Sequence, residues 1–335
     1  MKRIIEIPNA YLTYASSIVG KHESDGPLGE LFDLCDRTDR FGAKTWEQAE
    51  GPMQKRAFER LLSKSGIEIA DIGMLFAGDL QNQCVGSSYG LLDFDVPYIG
   101  LYGACSTAVE GLMLSAMTCS AGYCDSCVAV TSSHNLAAER QYRSPIEYGA
   151  QRSPTAQWTV TGAAAFAVNG HPKSNTGVRI TQVMPGIVVE KGINDASNMG
   201  AAMAPAAADT IFSYFKESGL APSDLDAIIT GDLGVEGGSI LCELLSSAGL
   251  DIRSVYNDCG TMIYDRLRQD KHAGGSGCGC SAVVLAAYLL PRLMSGRIKR
   301  MLLVGTGAMM SPTSIQQGQA IPAVGHLIRL EYGGL

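Results

Sequence analysis

Long apolar runs are missing from this chain. The most apolar stretches, Ser281 to Leu290 among them, stop well short of the ~18 residues that a membrane-spanning helix needs. The chain is therefore expected not to cross a membrane by itself. Met1-Lys2-Arg3 leads into only Ile4 to Ile7, so no secretory signal peptide is expected. An excess of positive charge is missing as well. The net charge of −7 argues against nucleic-acid binding driven by bulk electrostatics, and any anion site must be built locally. Histidine is scarce: His22, His134, His171, His272 and His326 are the whole supply, which limits every mechanism that needs an imidazole. No low-complexity segment interrupts the 335 residues, enough chain to bury a large core or two domain-sized halves.

Cysteine is plentiful by contrast. The ten are Cys35, Cys84, Cys105, Cys119, Cys124, Cys127, Cys242, Cys259, Cys278 and Cys280. In a chain of this length without a signal peptide they are expected to be reduced thiols. Cys124 and Cys127 have metal-like spacing, but no second pair stands at a suitable distance, so they read as thiols at the start of a buried strand. Cys278 and Cys280, one residue apart in a Gly-rich turn, read as neither a zinc nor a redox site.

A Cys-Ser pair occurs twice in the same setting. Gly103-Ala104-Cys105-Ser106-Thr107-Ala108 opens an apolar stretch leading to Gly122 and a strand-like run from Cys127 to Val130. Gly277-Cys278-Gly279-Cys280-Ser281-Ala282 opens another, leading to Gly296 and then Met301 to Val304. The repeat goes further. Pro52 to Leu80 matches Pro205 to Leu233 without a gap, at an offset of 153 positions. Asp71 falls on Asp224, and Gly78-Asp79-Leu80 on Gly231-Asp232-Leu233. Each copy reads as a helix, a glycine stop at Gly66 or Gly219, an Asp-led turn and a short apolar strand of the kind covered on both faces. The chain is thus α/β, made of two duplicated halves, 1–170 and 171–335, that share one apolar helix layer. The polar stretch from Asn169 to Gly177 is the expected junction, and Gly20 to Ala43 reads as a long surface excursion.

A cysteine at a strand-to-helix turn lies beside the unpaired N–H groups of a helix start, which lower a thiol's pKa and attract anions. Placement alone does not make a catalyst, because covalent catalysis also needs a base and an oxyanion stabiliser. The duplicated half, the Ala-Cys-Ser turn and the Gly-rich partner turn resemble the thiolase superfamily, close to the ketoacyl synthase III type. That resemblance implies a five-layer αβαβα sandwich and a homodimer. Condensing members use the turn cysteine with a histidine and an asparagine, or two histidines, from the second half. Here Gly231 stands where the histidine is expected, and the asparagine position falls in Gly274-Gly275-Ser276-Gly277. The fold is expected to be kept and the condensation chemistry lost.

Longer strings are similar to the stage V sporulation protein AD family. They include Thr131-Ser132-Ser133-His134-Asn135, Ala138-Glu139-Arg140-Gln141, Met203 to Thr210, Ala273 to Cys278 and Ser311-Pro312-Thr313. The resemblance implies a non-enzymatic protein that binds dipicolinic acid, alone or with calcium, and needs no cofactor of its own. It also implies work at the forespore or spore inner membrane beside membrane-embedded stage V sporulation proteins.

The ligand would be a flat dianion needing donors at both ends and a slot for its ring. Ser132 to Trp158 offers His134, Asn135, Glu139, Arg140, Tyr142, Arg143, Tyr148, Arg152 and Trp158. With the two turns, the expected site is Cys105, Ser106, Thr107, His134, Asn135, Arg140, Arg143, Gly275, Ser276 and Gly277. Each residue has a plainer role open to it. Arg140 and Arg143 can form a solvated face or pair with Glu139 and Glu147, His134 can bond a backbone carbonyl, and Asp258 can cap a turn rather than meet calcium. A ligand of ~12 non-hydrogen atoms at ~0.3 kcal/mol each binds with about −4 kcal/mol before any charge pairing. Two other functions stay open: an acyltransferase or condensing enzyme using Cys105 with His134 as an unorthodox base, and a scaffold for membrane partners that uses no pocket.

Overall fold

The structure is a computed structural model that describes residues 2–142, 152–172 and 177–333. Ten strands carry the architecture. The first half supplies β1 (Tyr11–Gly20), β2 (Met74–Gly78), β3 (Tyr98–Leu101), β4 (Ser126–Ser133) and β5 (Gly162–Asn169). The second supplies β6 (Val178–Met184), β7 (Ala227–Thr230), β8 (Tyr256–Asp258), β9 (Arg300–Ala308) and β10 (Ala323–Tyr332). Their spatial order is β3-β2-β4-β5-β1 in one half and β8-β7-β9-β10-β6 in the other, the same order twice. The short apolar strands β2 and β7 pair in parallel with both neighbours, as strands covered on both faces do. The two arrays meet where Tyr11 and Leu12 pair with Arg179 and Val178, which makes one 12-stranded ladder with two short edge segments included.

Five principal helices fill three layers: α1 (Trp46–Ser65), α2 (Thr107–Ser120), α3 (Met199–Ser218), α4 (Gly234–Ser247) and α5 (Cys278–Val284). Strand side chains alternate between layers. Ala163, Ala165 and Ala167 of β5 face the α1 layer, while Ala164, Phe166 and Val168 face the shared layer of α2 and α5. In β9, Leu302 and Val304 pack toward α3 and α4, and Met301 and Leu303 toward the shared layer. Helix, sheet, helix, sheet, helix is the thiolase-like sandwich. A helix with a sheet on either side has no solvent face, so α2 is apolar nearly all round.

The internal repeat holds at atomic detail. Both α1 and α3 are 20 residues long. The N-cap side chain of Thr45 accepts from the Gln48 amide and that of Asn198 from the Ala201 amide, at equivalent positions. Gly66 and Gly219 end the helices at φ 65° and 72°, left-handed values that a side chain would strain.

The segment from Gly20 to Ala43 is more than a surface excursion. It carries a short helix (Lys21–Ser24) and a strand (Leu34–Asp36) that pairs with β1, and it buries Glu23 and Phe41. A buried carboxylate must be bonded, and Glu23 takes the Thr161 amide from one half and the Tyr264 hydroxyl from the other. The segment therefore clasps the second half. Of the expected junction, residues 173–176 lie outside the described residues.

Candidate functional site

The Cys105 turn follows β3 and opens α2. Ala104 holds φ 52°, which folds the chain sharply and points Cys105 inward. Ser106 Oγ donates to the Gly103 carbonyl at 2.6 Å and Thr107 Oγ1 to the Ala104 carbonyl at 2.7 Å, so both hydroxyls brace the turn. The turn can lie against the second half because β9 has glycines beneath it. A Cβ on Gly307 would sit 2.4 Å from the Gly103 carbonyl oxygen.

A cavity of about 330 Å³ opens beside this turn. Cys105, Thr159 and Ser276 form part of its wall, Tyr102 and Tyr142 stand together at 2.6 Å between hydroxyls, and Met309 to Pro312 close another side. Ser276 Oγ is buried without a hydrogen-bond partner. The volume suits a small molecule, and an apolar wall with a few placed polar groups is the usual composition of such sites.

Behind Cys105 lies a residue the sequence reading passed over. Asp232 is fully buried and accepts from the Gly277 amide at 2.8 Å, the Thr306 hydroxyl at 2.9 Å and the Cys105 thiol. Burial lifts its carboxyl to about 7. Burial, and then the Asp232 charge, push the Cys105 thiol well above its ordinary range. A helix start beside a thiol favours thiolate; here the low-dielectric surroundings and the carboxylate win. The one available hint was the repeat itself, which aligns Asp232 with Asp79, a second buried carboxylate.

The remaining expected site residues divide. Asn135 is buried and donates Nδ2–H to the Thr159 carbonyl, steadying the wall from behind. Gly275 pairs with Trp158, and Gly277, at φ 96°, has its N–H committed to Asp232, so that amide is not offered to a ligand. His134 is turned elsewhere: Nε2 donates to the Asp39 carbonyl at 2.7 Å, Nδ1 accepts from the Ala137 amide, and burial lowers its pKa. It is a satisfied, neutral imidazole off the cavity wall. Arg140 points outward, half exposed, with its guanidinium 3.4 Å from the Glu47 carboxylate. Arg143, Glu147 and Tyr148 lie outside the described residues. Arg152 bonds Asp270, and Trp158 is half-buried under the Lys271 ammonium. Asp258 caps the helix Cys259–Ile263 and accepts four hydrogen bonds, from Thr230, Leu233, Gly234 and Thr261, which leaves it no free face for a cation. Among the described residues no group of three or more His, Cys, Asp or Glu is placed to hold a metal ion.

A repeated half, a shared helix layer and a cysteine at the inner strand-to-helix turn define a thiolase-like protein of the ketoacyl synthase III type. Solved structures agree. An OleA variant from Xanthomonas campestris superimposes with a TM-score of 0.62 at 16% identity, over 98% of this chain and 99% of that one. The 3-oxoacyl-(acyl carrier protein) synthase III FabH from Xanthomonas oryzae pv. oryzae gives 0.60 at 14% identity, over 98% and 100%. Within that class the chain belongs to the stage V sporulation protein AD family, whose model matches residues 3–331. It is 40% identical to stage V sporulation protein AD of Bacillus subtilis (strain 168) over 324 residues, 97% of this chain and 95% of the relative.

Proposed function

We propose that this sporulation protein binds dipicolinic acid, free or as its calcium chelate, in the cavity beside Cys105, and that it acts as a carrier rather than an enzyme. The observation that carries the reading is the pairing of Cys105 with Asp232. A nucleophilic thiol needs a partner that takes its proton and leaves a thiolate, whereas a buried carboxylate disfavours that charge. Ser276, Thr159, Tyr102 and Tyr142 supply neutral polar contacts and ring faces for a flat acid. Membrane-embedded stage V sporulation proteins are the proposed recipients, at the inner membrane of the spore. No helix among the described residues is long and apolar enough to span a bilayer, so a membrane role would be peripheral.

The proposed assembly is a homodimer through β3. This strand is an outer edge of the ladder and exposes Tyr98 and Ile99, with Tyr89 and Leu92 close by in sequence and also exposed. An edge strand pairing with its own copy satisfies both rows of backbone groups by one two-fold operation.

Titration calorimetry with dipicolinate, with and without calcium, tests the ligand. Binding is expected without thioester turnover when acetyl- or acyl-coenzyme A is supplied. Cys105→Ala should keep part of the binding, and any iodoacetamide alkylation mapped to residue 105 in the parent chain should be absent. Absence of dipicolinate binding would remove the carrier reading, and acyl transfer to Cys105 would instead favour the condensing enzyme.

A further inference from the structure

The short strand Trp158–Thr159 pairs with Gly275–Ser276, and neighbouring side chains of a strand point to opposite faces. Thr159 lines the cavity; Trp158 looks the other way, into a second polar cluster. The Lys271 ammonium lies 3.1 Å from the centre of the Trp158 ring and 5.5 Å from that of Tyr264. The central carbon of the Arg152 guanidinium lies 5.0 Å from the Trp158 ring, and the His22 ring stands 5.1 Å away, tilted by 61°. Lys271 comes from the second half, Arg152 and Trp158 from the first, and His22 from the clasping segment.

This cluster is rich in donors and short of acceptors. Lys271 is only 2% exposed, yet its ammonium makes no hydrogen bond or ion pair among the described residues. Arg152 commits Nη2 to the Asp270 carbonyl at 2.7 Å and carboxylate at 2.8 Å, while its Nη1 is buried without a partner. The Trp158 indole N–H is buried without a partner as well. Glu23 does not make up the difference. Its Oε1 accepts from the Thr161 amide and the Tyr264 hydroxyl, and burial raises its carboxyl to about 7, so it carries only part of a charge near neutrality. Buried donors are nearly always matched by acceptors. Three unmatched ones about a single ring therefore suit a group that brings acceptors and no donors. Burial, and then the Arg152 charge, lower the Lys271 ammonium to about 8 against the opposing pull of Glu23, Asp270 and Asp39.

We propose that Lys271, Arg152 and Trp158 bind a small oxyanion, a carboxylate or phosphate group, at a site separate from the cavity beside Cys105. The two cations supply charge, and the indole N–H adds a directed neutral donor. The test reads tryptophan emission from the full chain. The sequence has two tryptophans, so Trp46→Phe leaves Trp158, beside the ammonium, as the reporter. Sodium phosphate and sodium acetate are titrated separately, with ionic strength held constant by sodium chloride. At least one should give a saturable change; half-saturation at lower phosphate than acetate assigns a phosphate group, and the reverse order a carboxylate. Lys271→Met and Arg152→Gln, each added to Trp46→Phe, should raise the half-saturating concentration at least ~10-fold. A thermal melt checks that each variant is folded. Arg152 is partly exposed, so its variant keeps the test decisive even if Lys271→Met fails to fold. No saturable change with either salt, or half-saturation unmoved in folded Arg152→Gln, would overturn the site.

Discussion

Asp232 is the residue on which the cavity's chemistry turns. Its carboxyl stands at about 7 in the folded protein against an ordinary 3.8. A carboxyl raised by folding stabilises the folded state fully below its unfolded pKa, and that contribution is lost as pH rises to the folded value. Between pH 5 and 8 the loss from this one group is roughly 2–3 kcal/mol. Asp232→Asn mimics the protonated acid and removes the titration. Urea unfolding at the two pH values should therefore show a smaller stability loss for Asp232→Asn than for the parent chain; equal losses would mean that Asp232 does not carry the proton. Glu23, raised by burial to about 7, acts in the same direction but is common to both proteins. Other residues gave less away in the sequence. Cys105 and Ser276 sit in small-residue turns and were legible as wall positions. His134 and Arg140 were not, because polar side chains in a favourable string still choose their direction by tertiary contacts: a carbonyl from residue 39 and a carboxylate from residue 47.

The duplicated elements were the most legible part of the chain. Caps, glycine stops and apolar strands are local devices, and local devices leave local marks. How elements touch is another matter. α3 and α4 cross where Gly200 faces Gly237, and a Cβ on Gly237 would lie 2.7 Å from the Gly200 carbonyl oxygen and 2.8 Å from its Cα. Backbone faces backbone there, so no side chain can move aside. Alanine gains about 1 kcal/mol in helix propensity over glycine, but overpacking costs about 1–3 kcal/mol. Gly237→Ala is therefore expected to lower the thermal midpoint by a few degrees, and a rise would show that the helices separate freely. Residues around Cys105 were readable from one element, whereas Asp232, Thr306 and Met309 to Pro312 arrive from the other half, more than a hundred positions later.

At the scale of the molecule, the matching strand orders put β3 and β8 at opposite ends of the ladder. They are not equivalent surfaces. β3 exposes Tyr98 and Ile99, while Tyr256 of β8 turns its hydroxyl to Thr230, 2.8 Å away. The dimer should therefore form through β3. Ile99→Lys is expected to shift the sedimentation coefficient from that of a dimer to that of a monomer with the thermal melt little changed. A parent chain that sediments as a monomer at micromolar concentration would remove the proposed assembly.

The bonds from Tyr11 and Leu12 to Val178 and Arg179 stitch the two arrays along one edge, and a single helix layer fills the space between them. A body sewn in this way cannot gape like a jaw. Tyr102 and Tyr142, in the lining of the hollow, hold each other by their hydroxyls. Any change in the hollow's shape is thus left to side-chain torsions, such as the swing of these two phenol rings, and not to the travel of whole lobes.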